Sequence, residues 1–317
     1  MAILAETDAS PAGEPVVSII VSLFGRHRGI ETLPAVARLW LDQDVPCEVV
    51  VGVAGDLHAH VAEQVAGIEG VRLVRAEVTA GTRSLLCNLA ARTTRSRMVY
   101  LSDADIAPIG RDYLRRALDL AAQSGRAIMR PWMYRLVASY DWRDVRVWDA
   151  SAGRACFVVV DDGLLVPLPG ERLFMWRGVG SVVVPPTARR PEDPWQAGVL
   201  PHFHAGGVLL ERELFEEIGG FCAGYRGYGG EDDDFLIKLS SRQQVMVAWL
   251  EEPGLACLHF EHPRPYGGSD SDPNRELLAA RTAMGTAEMI RADVAAATNR
   301  AAAEAEAGNG AQDRGDR

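Results

Sequence analysis

Short apolar runs rich in β-branched residues alternate with amphipathic stretches over residues 15–131, and this alternation restricts the fold more than any other feature. Strands are predicted at residues 16–22, 47–53, 71–75, 98–101 and 127–131. Apolar residues at helical spacing predict helices after the first strand, at residues 84–91 and at residues 112–122. Such strand–helix–strand units build parallel sheets. The sequence therefore predicts an α/β, Rossmann-like fold with a mainly parallel central sheet flanked by helices.

The regular pattern fades after residue 131 and returns near residue 206. Residues 132–201 are rich in Trp, Pro, Gly and Arg, with β-like pieces at 156–160 and 179–184, and predict a less regular region over one face of the sheet. Further elements are predicted as a strand at 206–210, a helix at 212–218, a helix from about Asp232, a strand at 244–250 and an alanine-rich helix at 275–305. Residues 307–317 are predicted to be a disordered tail.

Composition excludes several classes of protein. With 48% hydrophobic and 24% charged residues, the chain resembles an ordinary globular protein. A net charge of -10 argues against a nucleic-acid or anionic-membrane partner, because basic patches hold such partners. The five cysteines show no CxxC pairing, which favours a reduced compartment. No signal peptide and no stretch near the roughly 20 apolar residues of a membrane span are evident, so the predicted location is the cytoplasm.

Two aspartates, Asp103 and Asp105, directly follow the buried strand at 98–101 as a D-x-D pair. Ligands of open α/β sheets bind outside the carboxyl ends of strands. Neighbouring carboxylates remain ionised most easily beside a divalent cation, and oxygen ligands suit Mg²⁺ or Mn²⁺. The motif predicts a metal site, and an acidic turn without a ligand is the alternative.

Histidines in residues 257–265 can complete such a site. His259 and His262 lie three residues apart after a predicted strand, and either imidazole can ligate Mn²⁺. His202 and His204 form a weaker candidate pair, since they share one face of an extended segment. A structural or surface role is the alternative for each.

Four consecutive carboxylates occupy residues 231–234, after a glycine-rich loop. Helical phase predicts that Asp232 points inward with the apolar residues of its helix, Phe235, Leu236 and Leu239, while Asp233 and Lys238 point elsewhere. An inward carboxylate beside glycines has the position that a general base needs. A well-capped helix start without a catalytic role is the alternative.

The run GGVLLERELFEEIGGFCAGYRGYGGEDDDF at 206–235 resembles the C-terminal signature of the β-1,4-galactosyltransferases and related bacterial glycosyltransferases of the GT-A fold. SIIVSLFGRHRGIETL resembles their nucleotide-binding first strand, and GTRSLLCNLAARTTRSRMVYLSDADI resembles the segment that leads to their metal-binding D-x-D. The resemblance covers approximately residues 16–131 and 204–265, with the motifs in the family's order.

The resemblance implies a role for individual residues. It makes Asp105 a metal ligand, with Asp103 nearer the ribose or a metal-bound water, and His259 before His262 as the metal histidine. Asp232 becomes the base of an inverting transferase. The implied acceptor-binding residues are Glu231, Tyr228, Gly229 and Gly230, where Tyr228 replaces the family's usual tryptophan. The implied nucleotide-sugar-binding residues are Phe24, Arg26, Arg83, Asn88, Asp103 and Gly207.

The same resemblance implies Mn²⁺ or Mg²⁺ as cofactor and a UDP-sugar donor. Because no membrane anchor or secretory signal is evident, a soluble small-molecule, carrier-bound or glycan acceptor is expected. The resemblance divides the chain into a flexible start (1–14), a nucleotide-sugar-binding half (15–131), an acceptor-binding and catalytic half (132–265) and a helical extension (266–306) before the tail. Four tryptophans of the second half could stack on an acceptor or pack in a core: Trp142, Trp148, Trp176 and Trp195. A retaining transferase, a nucleotidyltransferase and a non-catalytic nucleotide- or carbohydrate-binding protein are the alternatives.

Overall fold

A computed structural model describes residues 14–25, 29–76, 82–129, 131–137, 145–149, 156–160, 163–167, 174–176, 182–184, 207–227, 229–252, 255–260 and 272–315. The strands are β1 Val17–Leu23, β2 Cys47–Ala54, β3 Val71–Ala76, β4 Met98–Leu101, β5 Ile106–Pro108, β6 Ala127–Met129, β7 Trp132–Val137, β8 Val145–Asp149, β9 Cys156–Val160, β10 Gly163–Pro167, β11 Phe174–Trp176, β12 Val182–Val184, β13 Val208–Glu211, β14 Val245–Val247 and β15 Ala256–Phe260. The helices are α1 Gly29–Leu41, α2 His58–Gln64, α3 Arg83–Thr93, α4 Tyr113–Ser124, α5 Arg212–Glu217, α6 Glu231–Arg242, α7 Ala248–Glu251, α8 Asp272–Met284 and α9 Thr286–Gly315.

The central sheet has the strand order β14-β6-β13-β4-β1-β2-β3 within the described chain. Strand β1 lies parallel to both β2 and β4, and β2 lies parallel to β3. Strand β13 is antiparallel to its two neighbours, β4 and β6. Every residue of β2 is buried, as expected for a parallel strand covered on both faces. The predicted α/β fold with a mainly parallel central sheet is confirmed.

Helices cover both faces of this sheet because side chains alternate between the faces along each strand. Val17, Ile19 and Val21 of β1 join an apolar cluster with α1 and α4. Ile20 faces the other way, into a cluster with α3, α5 and α6. Two separate apolar layers therefore fix where α3 and α6, which carry candidate site residues, lie against the sheet.

The described strands between residues 132 and 184 belong to a second sheet, in a region that the sequence predicts to be less regular. The order of the second sheet in the described strands is β5-β15-β7-β12-β11-β10-β9-β8, with β15 parallel to β7 and antiparallel to β5. The β-like piece at residues 156–160 is confirmed as β9, and the piece at 179–184 appears as the shorter β12. The prediction missed the sheet because short strands show their pairing only when distant partners are known.

Two elements end at other residues than the sequence predicts. The strand predicted at residues 244–250 is only β14, and α7 follows it. Helix α9 continues to Gly315, beyond the predicted start of the disordered tail at residue 307. Its many alanines have high helix propensity, which outweighs the three glycines of that segment, Gly308, Gly310 and Gly315. None of the described helices combines the length and the apolar character needed to cross a membrane.

Candidate active site

The D-x-D turn joins β4 to β5, and two side chains of α1 hold it from behind. Thr32 Oγ1 donates to the carbonyl oxygen of Ala104 at 2.8 Å. Trp40 Nε1 donates to the carbonyl oxygen of Ile106 at 3.0 Å. Because these two carbonyls lie on either side of Asp105, the backbone that carries the Asp105 carboxylate is fixed at both ends.

His259 lies beside Asp105 because β15 pairs with β5, where His259 is opposite Ile106. The His259 Nε2 and Asp105 Oδ2 atoms are 3.7 Å apart, and both residues are buried. An imidazole and a carboxylate are suitable donors for Mn²⁺ or a related cation. No set of three His, Cys, Asp or Glu side chains comes together for a metal within the described part of the chain. Substrate phosphates and water would have to supply the other ligands, as is common for Mg²⁺.

Arg83, in the first turn of α3, connects the D-x-D turn to the acidic helix α6. Its Nε donates to Asp103 Oδ1 at 3.1 Å, and its Nη1 donates to Asp232 Oδ1 at 2.5 Å. The guanidinium also lies over the Phe221 ring, 5.0 Å from the ring centroid. Charge-assisted hydrogen bonds of this kind are stronger than neutral ones. The bridge therefore brings two motifs that are far apart in sequence into one cleft, which we call the carboxylate cleft: Asp103, Glu231, Asp232 and Arg83.

Asn88, one turn after Arg83, holds the loop that carries Phe221. Asn88 Nδ2 donates to the Phe221 carbonyl at 2.7 Å, and the Phe221 amide donates to Asn88 Oδ1 at 2.9 Å. The sequence predicts nucleotide-sugar binding by Asn88, and that contact stays a prediction. The structure gives the side chain a different task, which is to keep Phe221 beneath the Arg83 guanidinium.

Glycines leave room at the start of α6. Gly230 has a φ of 89°, and a Cβ there would lie 2.8 Å from the Tyr225 ring. Gly229 faces open space, with nothing within 4 Å of a Cβ built on it. Gly207 is different, because a Cβ at its φ of 97° would lie 2.4 Å from the Tyr100 hydroxyl. Close packing explains glycine at positions 207 and 230, whereas a Cβ at position 229 would meet no atom of the described chain.

The four carboxylates of residues 231–234 have different surroundings. Glu231 is buried, Asp232 is 33% exposed at its side chain, Asp233 is exposed and Asp234 is fully buried. The predicted phase of the helix is wrong at two positions. Lys238 was expected to point away and is fully buried, and Asp232 was expected to point inward and lies outside the buried face. The buried face follows the helical i, i+3, i+4, i+7, i+8 series from the first helical residue, and comprises Glu231, Asp234, Phe235, Lys238 and Leu239.

Negative charge is in excess in the carboxylate cleft, where three carboxylates surround one guanidinium. Burial, with the nearby Asp232 charge, raises the pKa of Glu231 to about 7. Burial also raises the pKa of Asp232, against the opposing effect of Arg83. Although burial opposes its charge, Asp232 and Asp103 hold the pKa of Arg83 well above its ordinary value. Glu231 Oε2 is buried and has no hydrogen-bond partner among the described residues. The cleft can therefore accept a cation or a hydrogen-bond donor.

Phe24 is placed by the structure, whereas several other predicted site residues lie outside the described part of the chain. Phe24, one residue after β1, is partly buried against the apolar cluster on the α3 side. The remaining predictions lie outside the described residues at Arg26, His202, His204, Tyr228, His262, Trp142 and Trp195. Trp148 and Trp176 are described only as members of β8 and β11.

A cavity of about 1000 Å³ lies at the other end of β4, away from the D-x-D turn. It is lined by Arg97 and Met98 at the start of β4 and by Glu211 at the end of β13. The carboxylate cleft, and not this cavity, holds the clustered ionisable groups with shifted pKa values that mark functional sites.

The parallel sheet, the D-x-D turn at the carboxyl end of β4 and the acidic helix that faces it form the GT-A arrangement predicted from the sequence. The family model described as the N-terminal domain of galactosyltransferase matches residues 200–262. Human β-1,4-galactosyltransferase 4 is 32% identical over 76 residues, which cover 24% of this chain and 22% of the human protein. The resemblance to galactosyltransferases is confirmed for this segment, and the chain matches about a fifth of the human relative's length.

Two solved structures align with most of the chain at low sequence identity. The mannosyltransferase PcManGT from Pyrobaculum calidifontis, in complex with GDP-Man and Mn²⁺, is 18% identical with a TM-score of 0.48, and the match covers 96% of this chain and 81% of that one. Residues 1–349 of S. aureus TarS are 14% identical with a TM-score of 0.49, and the match covers 88% of this chain and 70% of that one.

Proposed function

We propose that this protein is a divalent-cation-dependent glycosyltransferase that moves a sugar from a UDP-sugar to a hydroxyl or amine, with inversion at the anomeric carbon. The acceptor class is a soluble small molecule, a carrier-bound intermediate or a glycan. The observation that supports this best is the Arg83 bridge, with contacts of 3.1 Å to Asp103 and 2.5 Å to Asp232. It puts the donor-side and acceptor-side motifs in one cleft.

On the donor side, Asp105 and His259 would hold Mn²⁺ or Mg²⁺, with Asp103 close to the nucleotide. The buried carboxylate–imidazole pair, 3.7 Å apart, fits such a cation by the chemistry of its donors. Bound there, the cation would neutralise charge on the departing diphosphate. Thr32 and Trp40 keep the turn in place, so that little reorganisation is needed when the donor binds.

On the acceptor side, Asp232 accepts the proton of the attacking hydroxyl. Arg83 engages Oδ1 of Asp232, which leaves Oδ2 for the acceptor. As the acceptor oxygen bonds to the anomeric carbon, the bond from that carbon to the diphosphate oxygen breaks and its electron pair leaves with UDP. Glu231, with a pKa of about 7, is partly protonated at neutral pH. Its carboxyl group can donate a hydrogen bond to the acceptor substrate or accept one from it. General-base help is typically worth about 10²–10⁴-fold.

Product analysis tests the transfer. The protein is incubated with a panel of UDP-sugars and acceptors, UDP release is measured, and the anomeric configuration of the product is read by NMR. An inverted glycoside with release of UDP is expected. Retention would exclude Asp232 as an inverting base, and pyrophosphate release would identify a nucleotidyltransferase. UDP binding with no turnover on any acceptor, unchanged by Asp232→Asn, would identify a binding protein.

Metal removal tests the cofactor. EDTA should abolish transfer and also the thermal stabilisation by UDP, and Mn²⁺ should restore both in the wild type but not in Asp105→Ala. The exposed Asp42→Ala variant, on a residue paired with Arg111 at 3.0 Å, is the matched control. Activity that survives both EDTA and Asp105→Ala would contradict the metal assignment.

A further inference from the structure

A second group of charges lies on the buried face of α6, the face that also carries Glu231. We call it the anchor cluster: Asp234, Lys238, Arg281 and Asp293. Arg281 donates to both oxygens of Asp234 and, from Nη2 at 2.6 Å, to Asp293 Oδ2. Lys238 Nζ donates to Asp293 Oδ2 and lies 3.6 Å from Asp234 Oδ1. Their side chains are at most 8% exposed. The cluster joins α6 to both C-terminal helices, α8 and α9.

The composition of the anchor cluster is balanced, with two carboxylates and two cations. Lys238 is the only lysine of the chain and is fully buried. Burying charges is costly, and apolar residues of similar size often give equal or greater stability. What paired charges add is a defined geometry, because each hydrogen bond has a preferred distance and direction. The cluster therefore restricts the rotation of α6 about its axis more than apolar contacts would.

Side chains of α6 and α8 also hold the two loops beside the cleft. Lys238 Nζ donates to the carbonyl of Gly220 at 2.6 Å, next to Phe221. Asn274 of α8 accepts from the Arg226 amide at 3.2 Å and donates to the Arg226 carbonyl at 2.7 Å. Phe221 lies under the Arg83 guanidinium, and Arg226 belongs to the glycine-rich loop that leads into α6. The glycine-rich loop is thus tied to α8, outside the segment 200–262 that the family model matches. The Phe221 loop is held from α6 by Lys238, which in turn binds Asp293 of α9.

We infer that α8 and α9 are a positioning element for the carboxylate cleft, and that the anchor cluster sets where Glu231 and Asp232 stand relative to Arg83. The inference rests on the proposed function and deepens it. Asp234 is two residues after Asp232 in the same helical turn, so a rotation of α6 moves both side chains together. The 2.5 Å contact of Asp232 with Arg83 does not survive such a rotation. Misplacement by about 1 Å can cost on the order of 10²-fold in rate.

The first experiment compares Asp293→Asn with a matched control in the full chain. Asp293→Asn removes a charge from the anchor cluster, whereas Arg291→Gln breaks an exposed ion pair with Glu288 on the same helix. We expect Asp293→Asn to lower kcat by on the order of 10²-fold with KM for the UDP-sugar unchanged, and Arg291→Gln to change neither. Asp293→Glu, which keeps the carboxylate, should recover part of the loss.

Hydrogen exchange supplies a readout that does not depend on activity. In Asp293→Asn, amides of residues 229–236 should lose protection while those of β1 and β2 keep theirs. A kcat equal to that of Arg291→Gln well below the melting temperature, or an equal loss of protection in all segments, would overturn the inference. If the wild type transfers no sugar, the proposed function fails, and the exchange comparison alone then decides whether α8 and α9 position this segment.

A milder variant covers the case in which Asp293→Asn does not fold. Asn274→Ala removes the two hydrogen bonds to the Arg226 backbone and changes no member of the anchor cluster. We expect lower kcat and faster exchange at residues 225–230, with the melting temperature changed little. Unchanged kcat and unchanged exchange in this variant would also overturn the inference.

Discussion

The first turn of α6 contributes carboxylates to two ionic groups that differ in charge balance and exposure. The carboxylate cleft has three carboxylates and one guanidinium, and the side chains of Asp103 and Asp232 are 30% and 33% exposed. The anchor cluster has two carboxylates and two cations, and its side chains are at most 8% exposed. One helix start of four consecutive carboxylates supplies members to both.

The difference shows in which group the charges are balanced by other residues of the protein. Buried charges are tolerated when each is paired and hydrogen-bonded, which is the condition of the anchor cluster. The carboxylate cleft has surplus negative charge and a buried Glu231 oxygen without a partner in the described chain. Sites that keep such an imbalance, with shifted pKa values, are typical of catalysis and binding. We therefore expect changes in the cleft to act on turnover and changes in the anchor cluster to act on stability and position.

The largest effect is expected from Asp232→Asn in the carboxylate cleft. It should keep the fold and UDP affinity but lower kcat by about 10²–10⁴-fold, because the amide cannot accept the proton. Asp233→Asn, on the exposed neighbour, is the control and should cost only about 0.3–1 kcal/mol of stability. Measurement of kcat and Tm for both variants decides the matter. Equal losses of activity and stability would mean that the acidic run is only a helix cap.

The next effect concerns Lys238→Met in the anchor cluster. Removing one cation leaves a buried carboxylate without compensation, which typically costs about 3–5 kcal/mol. The control is Arg242→Met, on the same helix as Lys238, which breaks an exposed ion pair with Glu217 of α5. It should cost less than about 1 kcal/mol. Urea unfolding gives both free energies of unfolding. A loss for Lys238→Met no larger than that for Arg242→Met would show that the anchor cluster adds no stability.

A pH effect is expected from Glu231. Its pKa is raised from 4.5 to about 7 on folding, so the unfolded chain releases this proton first and the free energy of unfolding falls as the pH rises through that window. The contribution is at most roughly 3 kcal/mol. Glu231→Gln should remove it, so the variant gains stability relative to wild type above pH 7. Urea unfolding in EDTA at several pH values measures this, and parallel pH profiles would contradict the raised pKa.

The smallest effect is expected behind the cleft, at Thr32. Thr32→Val keeps the shape of the side chain but removes its hydrogen bond to the Ala104 carbonyl, which is worth about 0.5–1.5 kcal/mol. We also expect weaker stabilisation by UDP with Mn²⁺, because the turn that carries Asp105 is less restrained. Thermal melts with and without these ligands give both values. Stability and ligand response equal to wild type would show that α1 does not restrain the D-x-D turn.

The sequence by itself determined the features that depend on local pattern. Apolar runs of β-branched residues between amphipathic segments predict the parallel sheet, and the turn after β4 brings Asp103 and Asp105 to its carboxyl edge. The glycines before residue 231 predict an open helix start, and the run at 206–235 predicts the resemblance that the family model confirms. These features could be predicted because each depends on neighbouring residues only.

Only the tertiary structure decided which carboxylate does what. Arg83 reaches Asp232 across 149 residues of sequence, and Arg281 and Asp293 come from helices whose pattern shows no partner. The i, i+4 spacing of Asp234 and Lys238 was the one local signal of the anchor cluster. Helical phase predicts which side chains are buried only from the apolar residues of the same helix. A charged lysine is buried at low cost only where carboxylates pair with it, and only the folded chain brings the distant Asp293 to Lys238.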